Sequence, residues 1–215
     1  MANGQPSLGQ RVHTWATNHL AQQVGDGECF ALADQALRAS GARSAADYGE
    51  VTADANYRWG NAVQLVDVQP GDVLQFRDYS VTIEVTVTST KTFNDGSTEE
   101  TENTTTETYE RPHHTAIVSA KLSGGRLRVL EQNAPPRGSS TPQRVVRSNE
   151  IHTTGSTSTQ TAVRTDALGF LSYALGLVSS THPTVRQEGD GTVWEETTTT
   201  IAVTGTIWAY RPQPR

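Results

Sequence analysis

Apolar positions in the first forty residues recur at helical spacing. Ser7 is a suitable N-cap, and one apolar stripe follows it, formed by Leu8, Val12, Trp15, Ala16 and Leu20. Gly25 and Gly27 interrupt this pattern. A second helix is predicted from about Cys29 to Ser40, with Gly41 as its C-cap. The chain therefore begins with two predicted helices.

The pattern changes to that of strands after the turn sequence Pro70-Gly71-Asp72, where 73–76 is typical of a buried strand start. Residues 81–110 alternate apolar and polar positions, turn at Asn94-Asp95-Gly96, and return as a Thr- and Glu-rich stretch. This predicts a long, solvent-exposed β-hairpin. The return strand contains so few apolar residues that disorder is the competing interpretation.

Two apolar strands follow, Thr115 to Lys121 and Arg126 to Gln132, and Gly124-Gly125 favours an antiparallel pairing between them. The low-complexity stretch Gly155 to Gln160 is predicted to be a loop. Residues 167–178 are apolar and favour a short helix or a packed loop. Gly189-Asp190-Gly191 precedes a second Thr-rich ribbon at 192–203, and a last strand is expected at 206–210.

Helices that precede antiparallel strands predict an α+β fold, with the N-terminal helices packed on an antiparallel sheet. The two Thr-rich ribbons are then long insertions, at about 81–111 and 153–204. We expect one domain over residues 1–215.

Charge and composition narrow the possible partners. The formal net charge of −6 argues against nucleic acid as the main partner and provides no basic face for an anionic membrane. No apolar run is long enough to span a bilayer, and the N-terminus lacks a secretory signal. The sequence does not identify the compartment, and it leaves open the cytoplasm or export by a route without a cleavable signal.

The single cysteine, Cys29, excludes an internal disulfide and a multi-cysteine metal site, and the histidines show no metal-ligand spacing. No metal or cofactor is predicted. Cys29 stands where the second helix begins, after Gly25-Asp26-Gly27-Glu28. The positive end of a helix dipole favours thiolate, and the polar approach keeps the residue near the surface. Cys29 is therefore a candidate nucleophile, although a buried structural cysteine is the common alternative.

A candidate base and its partners follow downstream. Strand alternation places His113 and His114 on opposite faces, and alternation alone does not choose between them. Glu131 and Asn133 lie two residues apart and would share one face of a strand, whereas Gln132 would point away. Glu131 or Asn133 would accept the Nδ1–H of the base imidazole and fix the tautomer of that ring. Gln23 is a candidate oxyanion donor beside the Cys29 backbone N–H.

These residues resemble the CHAP amidases, within the NlpC/P60 and papain-like superfamily. The resemblance rests on a cysteine at a helix start, a His-Thr-Ala-Ile-Val strand and Glu131-Gln132-Asn133 at the end of the next strand. It implies a papain-like fold, His114 rather than His113 as the base, Glu131 and Asn133 as its partners, and Gln23 as the oxyanion glutamine. It also implies peptidoglycan peptides or amide links as substrate.

The sequence thus predicts a cysteine hydrolase that cleaves an amide bond, with a peptide or peptidoglycan substrate. A cytoplasmic protein- or peptide-directed peptidase is the nearest enzymatic alternative. The other class is a binding module without catalysis, in which the ribbons offer strand edges to a protein partner. A similar cysteine-proteinase-like domain occurs in some eukaryotic cortical-actin proteins, in which the fold need not catalyse a reaction.

Overall fold

The computed structural model describes residues 6–93, 95–136, 139–162, 186–188 and 191–215. Two α-helices, α1 (Leu8–Asn18) and α2 (Cys29–Ala39), come first among these residues, and short 3₁₀ helices lie at Ala45–Asp47 and Leu65–Asp67. The strands are β1 (Asn61–Val63), β2 (Val73–Phe93), β3 (Thr98–Lys121), β4 (Arg126–Glu131), β5 (Arg147–His152), β6 (Ser156–Ala162), β7 (Arg186–Glu188) and β8 (Gly191–Arg211).

The two predicted helices are confirmed. Ser7 caps α1 through a capping box, in which its hydroxyl accepts from the Gln10 N–H and its own N–H donates to Gln10 Oε1. Helix α2 begins at Cys29, and Gly41 follows its end with a φ of 77°, a conformation that glycine adopts without a Cβ penalty.

The strands form a sheet in the order β1-β8-β2-β3-β4-β5, and β6 and β7 each pair with β8. The predicted hairpin of residues 81–110 is confirmed, since β2 and β3 are neighbours and the Phe93 N–H donates to the Ser97 carbonyl across the turn. The predicted antiparallel pairing of β3 with β4 is also confirmed, with Ile117 opposite Leu130.

The predicted α+β class is wrong, because the fold is dominated by its sheet. Strand accounts for 52% of the structure and helix for 16%, and the sheet is mostly antiparallel. Strands β2, β3 and β8 contain 21, 24 and 21 residues, so the Thr-rich segments extend core strands instead of separating them. Threonine is β-branched and is enriched in strands.

Two smaller predictions are also corrected. The segment predicted as a loop from Gly155 to Gln160 contributes most of strand β6, which pairs with β8 from Ser156 opposite Ile201 onward. The ribbon at 192–203 and the last strand at 206–210 are one continuous strand, β8. The predicted helix or loop at 167–178 and most of the turn before β8 lie outside the described residues.

The chain divides into two units. Unit 1 comprises Met1–Val81, Thr108–Gly155 and Val203–Arg215, and unit 2 comprises Thr82–Glu107 and Ser156–Ala202. Unit 1 contains the main hydrophobic cluster, in which buried residues of α1 and α2 pack with Trp59, Val73, Ile117 and Leu130. In unit 2, residues 98–106 are exposed on both faces of β3. The unit 2 segments fall within the insertions expected at 81–111 and 153–204.

Among the described residues, no helix combines the length and the apolar character needed to cross a bilayer.

Candidate active site

Cys29 is the first residue of α2, and a side chain from the end of β4 fixes the backbone that leads to it. Gln132 Oε1 accepts from the Val24 N–H at 2.8 Å, and Gln132 Nε2 donates to the carbonyls of Val24 and Glu28, both at 2.9 Å. The Gln132 side chain is fully buried. Gln132 was expected to point away from the site. It instead sets the start of the helix that carries the cysteine.

His114 interacts with the Cys29 thiol, so that each group shifts the pKa of the other, and it is itself buried, with 5% of its surface exposed. Its Nε2 lies 2.9 Å from Glu131 Oε2. Since an ionised carboxylate only accepts, Nε2 carries a proton and Nδ1 is the nitrogen left for the thiol. The expected contact between the carboxylate and Nδ1 is therefore wrong, because the ring presents its other nitrogen to Glu131.

Glu131 accepts from three side chains. Arg111 binds it twice, from Nε to Oε2 at 3.0 Å and from Nη2 to Oε1 at 2.6 Å, and Asn149 Nδ2 donates to Oε1 at 2.7 Å. With His114, this gives the carboxylate four hydrogen bonds and leaves it 1% exposed. A buried carboxylate with this many donors stays ionised and holds its partners in fixed positions.

Sequence reasoning missed both Arg111 and Asn149. Arg111 precedes the predicted histidine strand, and a charged side chain at the border of an apolar run was the available signal. Asn149 had no such signal, because it comes next to Glu131 only through the register of β4 with β5, in which Val129 pairs with Asn149. Asn149 and Glu131 are thus diagonal neighbours on one face.

Three other candidate residues lie apart from this arrangement. Asn133 follows the end of β4 with a φ of 58°, so it does not share a strand face with Glu131, and its amide donates to the Glu28 carboxylate. Gln23 is exposed, and its amide donates to the Gly25 carbonyl at 3.3 Å. His113 Nε2 lies 2.8 Å from the Ala55 carbonyl. The structure brings Cys29, His114 and Glu131 together and leaves these three side chains outside.

The family model that matches the chain describes the AIM3/BBC1 cysteine proteinase-fold domain and covers residues 1–152. The chain belongs to this family. No curated protein and no solved structure matches the chain. The AIM3/BBC1 match supports the predicted cysteine-proteinase fold, but it does not support a CHAP or NlpC/P60 amidase. The matched range contains the whole Cys29–His114–Glu131 arrangement and ends before β6.

The charges at the site of this AIM3/BBC1 domain favour an ion pair. Burial raises the pKa of the Cys29 thiol, but His114 and the backbone N–H groups of Thr115 and Phe30 outweigh it, so the pKa lies below its ordinary value. Burial lowers the pKa of His114, but hydrogen bonds and charges of Cys29 and Glu131 raise it to about 9. The Glu131 pKa lies well below its ordinary value despite burial, because His114 and Arg111 bind the charged form.

A groove of about 560 Å³ lies beside this base in the AIM3/BBC1 domain. Its lining includes His114 and the residues before it in β3, together with residues that follow β4: Asn133, Pro135, Ser139, Ser140 and Pro142. A volume of this size is typical of ligand-binding clefts. Among the described residues, no group of three or more His, Cys, Asp or Glu side chains is arranged to hold a metal ion.

Proposed function

We propose that this protein is a cysteine hydrolase that cleaves an amide bond, with Cys29 as nucleophile and His114 as general base and acid. One observation carries the proposal: the buried His114 contacts Glu131 through Nε2 at 2.9 Å and interacts with the partly buried Cys29 thiol. The opposite pKa shifts of Cys29 and His114 support it, because they favour a thiolate beside an imidazolium near neutral pH.

The reaction follows from these groups. The Cys29 thiolate attacks the substrate carbonyl carbon, a C–S bond forms, and the carbonyl oxygen takes up negative charge. The His114 imidazolium gives its proton to the departing amine nitrogen as the C–N bond breaks, which leaves a thioester. His114 then removes a proton from water, whose oxygen attacks the thioester, and the C–S bond breaks to restore the ion pair.

The oxyanion requires donors, and the start of α2 offers them. The first N–H groups of a helix have no partner within the helix, and the Cys29 N–H is one of these. The Gln23 amide is committed to the Gly25 carbonyl, so its predicted role would require its side chain to rotate. The groove beside His114 offers room for a peptide segment next to the base.

The test measures the rate of Cys29 alkylation in the full chain. Iodoacetamide should modify Cys29 rapidly near neutral pH, and His114→Ala should slow that reaction by about tenfold or more, because it removes the imidazolium that stabilises the thiolate. His113→Ala is the matched control and should react like wild type. If wild-type Cys29 reacts as slowly as a free cysteine of ordinary pKa, the proposal is wrong.

A substrate screen addresses the finer question. The resemblance to the CHAP amidases motivates a test of peptidoglycan fragments, and the cytoplasmic alternative motivates a test of unmodified peptide libraries. Hydrolysis that disappears in Cys29→Ala would identify the class. Turnover of peptidoglycan stems would support a wall-directed amidase or endopeptidase, whereas turnover of peptides alone would support a protein-directed peptidase.

A second candidate function is a non-catalytic interaction module, and the composition of unit 2 favours it. The two unit 2 segments contain eleven Asp and Glu residues against three Lys and Arg residues, and residues 98–106 are exposed on both faces. Such a ribbon suits a protein partner with a basic surface. For a purely binding role, Cys29→Ala would leave partner binding intact and wild-type Cys29 would lack enhanced reactivity.

A further inference from the structure

Arg111 and Glu131 form a buried ion pair directly behind the proposed base. The two side chains are 7% and 1% exposed, and Arg111 spans both carboxylate oxygens. Burial of such a pair costs about as much desolvation energy as the attraction returns, so stability alone is a weak reason for it. Its position suggests a role in the chemistry.

The charges of four residues alternate along one chain of contacts. Arg111 is a cation, Glu131 an anion, His114 a cation when protonated and Cys29 an anion when deprotonated. The four charges sum to zero. Without Arg111, the buried carboxylate would face only one cation, and burial would favour its neutral form.

We propose that Arg111 is a positioning residue for His114 and acts entirely through Glu131. Arg111 Nε and His114 Nε2 share Glu131 Oε2, at 3.0 and 2.9 Å, while Arg111 Nη2 takes Oε1. These two hydrogen bonds from the Arg111 guanidinium fix the plane of the Glu131 carboxylate. The carboxylate in turn fixes the direction in which the His114 ring points. Together with His114, the charge of Arg111 keeps Glu131 ionised, and the ionised form is the one that stabilises the imidazolium. This inference rests on the proposed reaction of Cys29 and His114.

The experiment follows the rate of Cys29 alkylation against pH in the full 215-residue chain. In Arg111→Met, Glu131 should take up a proton and cease to stabilise the imidazolium, so the midpoint at which the thiolate forms should rise by about one pH unit. Arg111→Lys retains the charge and should retain the midpoint. The lysine loses the bidentate contact with Glu131, so hydrolysis of a peptide or peptidoglycan fragment that wild type cleaves should fall by about tenfold or more. Arg128→Met is the matched control, because Arg128 is exposed and pairs with Glu150.

A double-mutant cycle tests whether Arg111 acts through Glu131, and it remains informative if Arg111→Met alone folds poorly. Arg111→Met with Glu131→Gln removes both buried charges and leaves neither unpaired. We expect Arg111→Met to leave the midpoint of the Glu131→Gln protein unchanged. If it shifts that midpoint as it shifts wild type, the proposed route is wrong.

The two proposals fail differently. A wild-type midpoint near that of an ordinary thiol would overturn the proposed function, and this inference with it. A lowered wild-type midpoint that persists in folded Arg111→Met would overturn the role of Arg111 and leave the proposed function standing.

Discussion

The imidazole of His114 and the carboxylate of Glu131 are joined by a 2.9 Å hydrogen bond, and the two side chains are 5% and 1% exposed. Burial makes each charge costly alone and the pair mutually dependent. Their pKa values consequently move apart, upward for His114 and downward for Glu131. The pH behaviour of the protein follows from this pair.

The first prediction is a bell-shaped dependence of hydrolysis on pH. The acid limb marks formation of the Cys29 thiolate below its ordinary pKa, and the alkaline limb marks loss of the His114 proton at about 9, because the leaving amine needs that proton. Initial rates between pH 4 and 10 measure both limbs. His113→Ala should keep the profile, and an alkaline limb near 6.5 would contradict the His114 assignment.

The second prediction concerns stability in acid. The folded-state pKa of Glu131 is depressed, so its contribution is present above its ordinary pKa of about 4.5 and is lost as pH falls below that value. Glu131→Gln leaves Arg111 buried without its carboxylate and should cost about 3 kcal/mol near pH 7. Urea unfolding from pH 7 to pH 3 should show this difference shrinking. A difference that stays constant with pH would rule out the charge as its origin.

The third prediction compares two glutamines. Gln132→Ala removes two buried hydrogen bonds and one partly buried one, so we expect a loss of about 2–4 kcal/mol and slower alkylation of Cys29. Gln23→Ala removes an exposed side chain and should change stability by no more than about 0.5 kcal/mol. Denaturant midpoints and alkylation rates of the two variants measure this contrast. Equal losses would mean that the buried amide does not hold the start of α2.

The fourth prediction concerns Gly205 in β8. Its φ is 80°, and a Cβ there would lie 2.2 Å from the Asp78 carbonyl oxygen, so an added methyl meets backbone. Gly205→Ala should therefore cost well over the roughly 1–2 kcal/mol expected from a positive φ alone. Gly124→Ala is the control, because Gly124 has a φ of 68° and open space around it. Thermal unfolding should rank Gly205→Ala as the less stable variant.

The fifth prediction concerns the segments of unit 2. All the residues of the main hydrophobic cluster belong to unit 1, so replacing 82–107 and 156–202 by short Gly/Ser turns should leave unit 1 folded and Cys29 alkylation nearly unchanged. If unit 2 selects the partner or substrate, activity on the macromolecular substrate should fall more than activity on a small amide. Global unfolding, or equal loss on both substrates, would contradict that role.

Local pattern was sufficient for some elements. Helical periodicity and the Ser7 cap predicted α1, and the apolar runs around Gly124-Gly125 predicted the β3–β4 pairing. The sequence did not predict the sheet-dominated class, because the Thr-rich stretches contain few apolar residues and were therefore interpreted as insertions. In the structure they continue the core strands. Composition describes how much a segment buries, and it does not say where a strand stops.

The proposed nucleophile could be selected from sequence because Cys29 is the single cysteine, and the base was chosen from the pair His113 and His114 by the family resemblance. The contacts that support Cys29 and His114 could not be predicted from the sequence. Gln132 and Val24 are 108 residues apart, and the partner of Arg111 depends on where β4 ends. The preference for Glu131 over Asn133 likewise depends on a backbone turn at Asn133 that alternation cannot reveal.

The hydrogen bonds between the Gln132 side chain and the backbone of Val24 and Glu28 also affect the order of events during synthesis. Cys29 leaves the ribosome long before His114, and Gln132 is made later still. Until the chain has emerged as far as Gln132, Cys29 lacks the hydrogen bonds that fix the start of its helix. Before His114 has emerged, it also lacks its base. In a nascent chain, Cys29 would therefore react as an ordinary thiol. Enhanced reactivity of Cys29 would indicate that the N-terminal helices had packed against the completed β4.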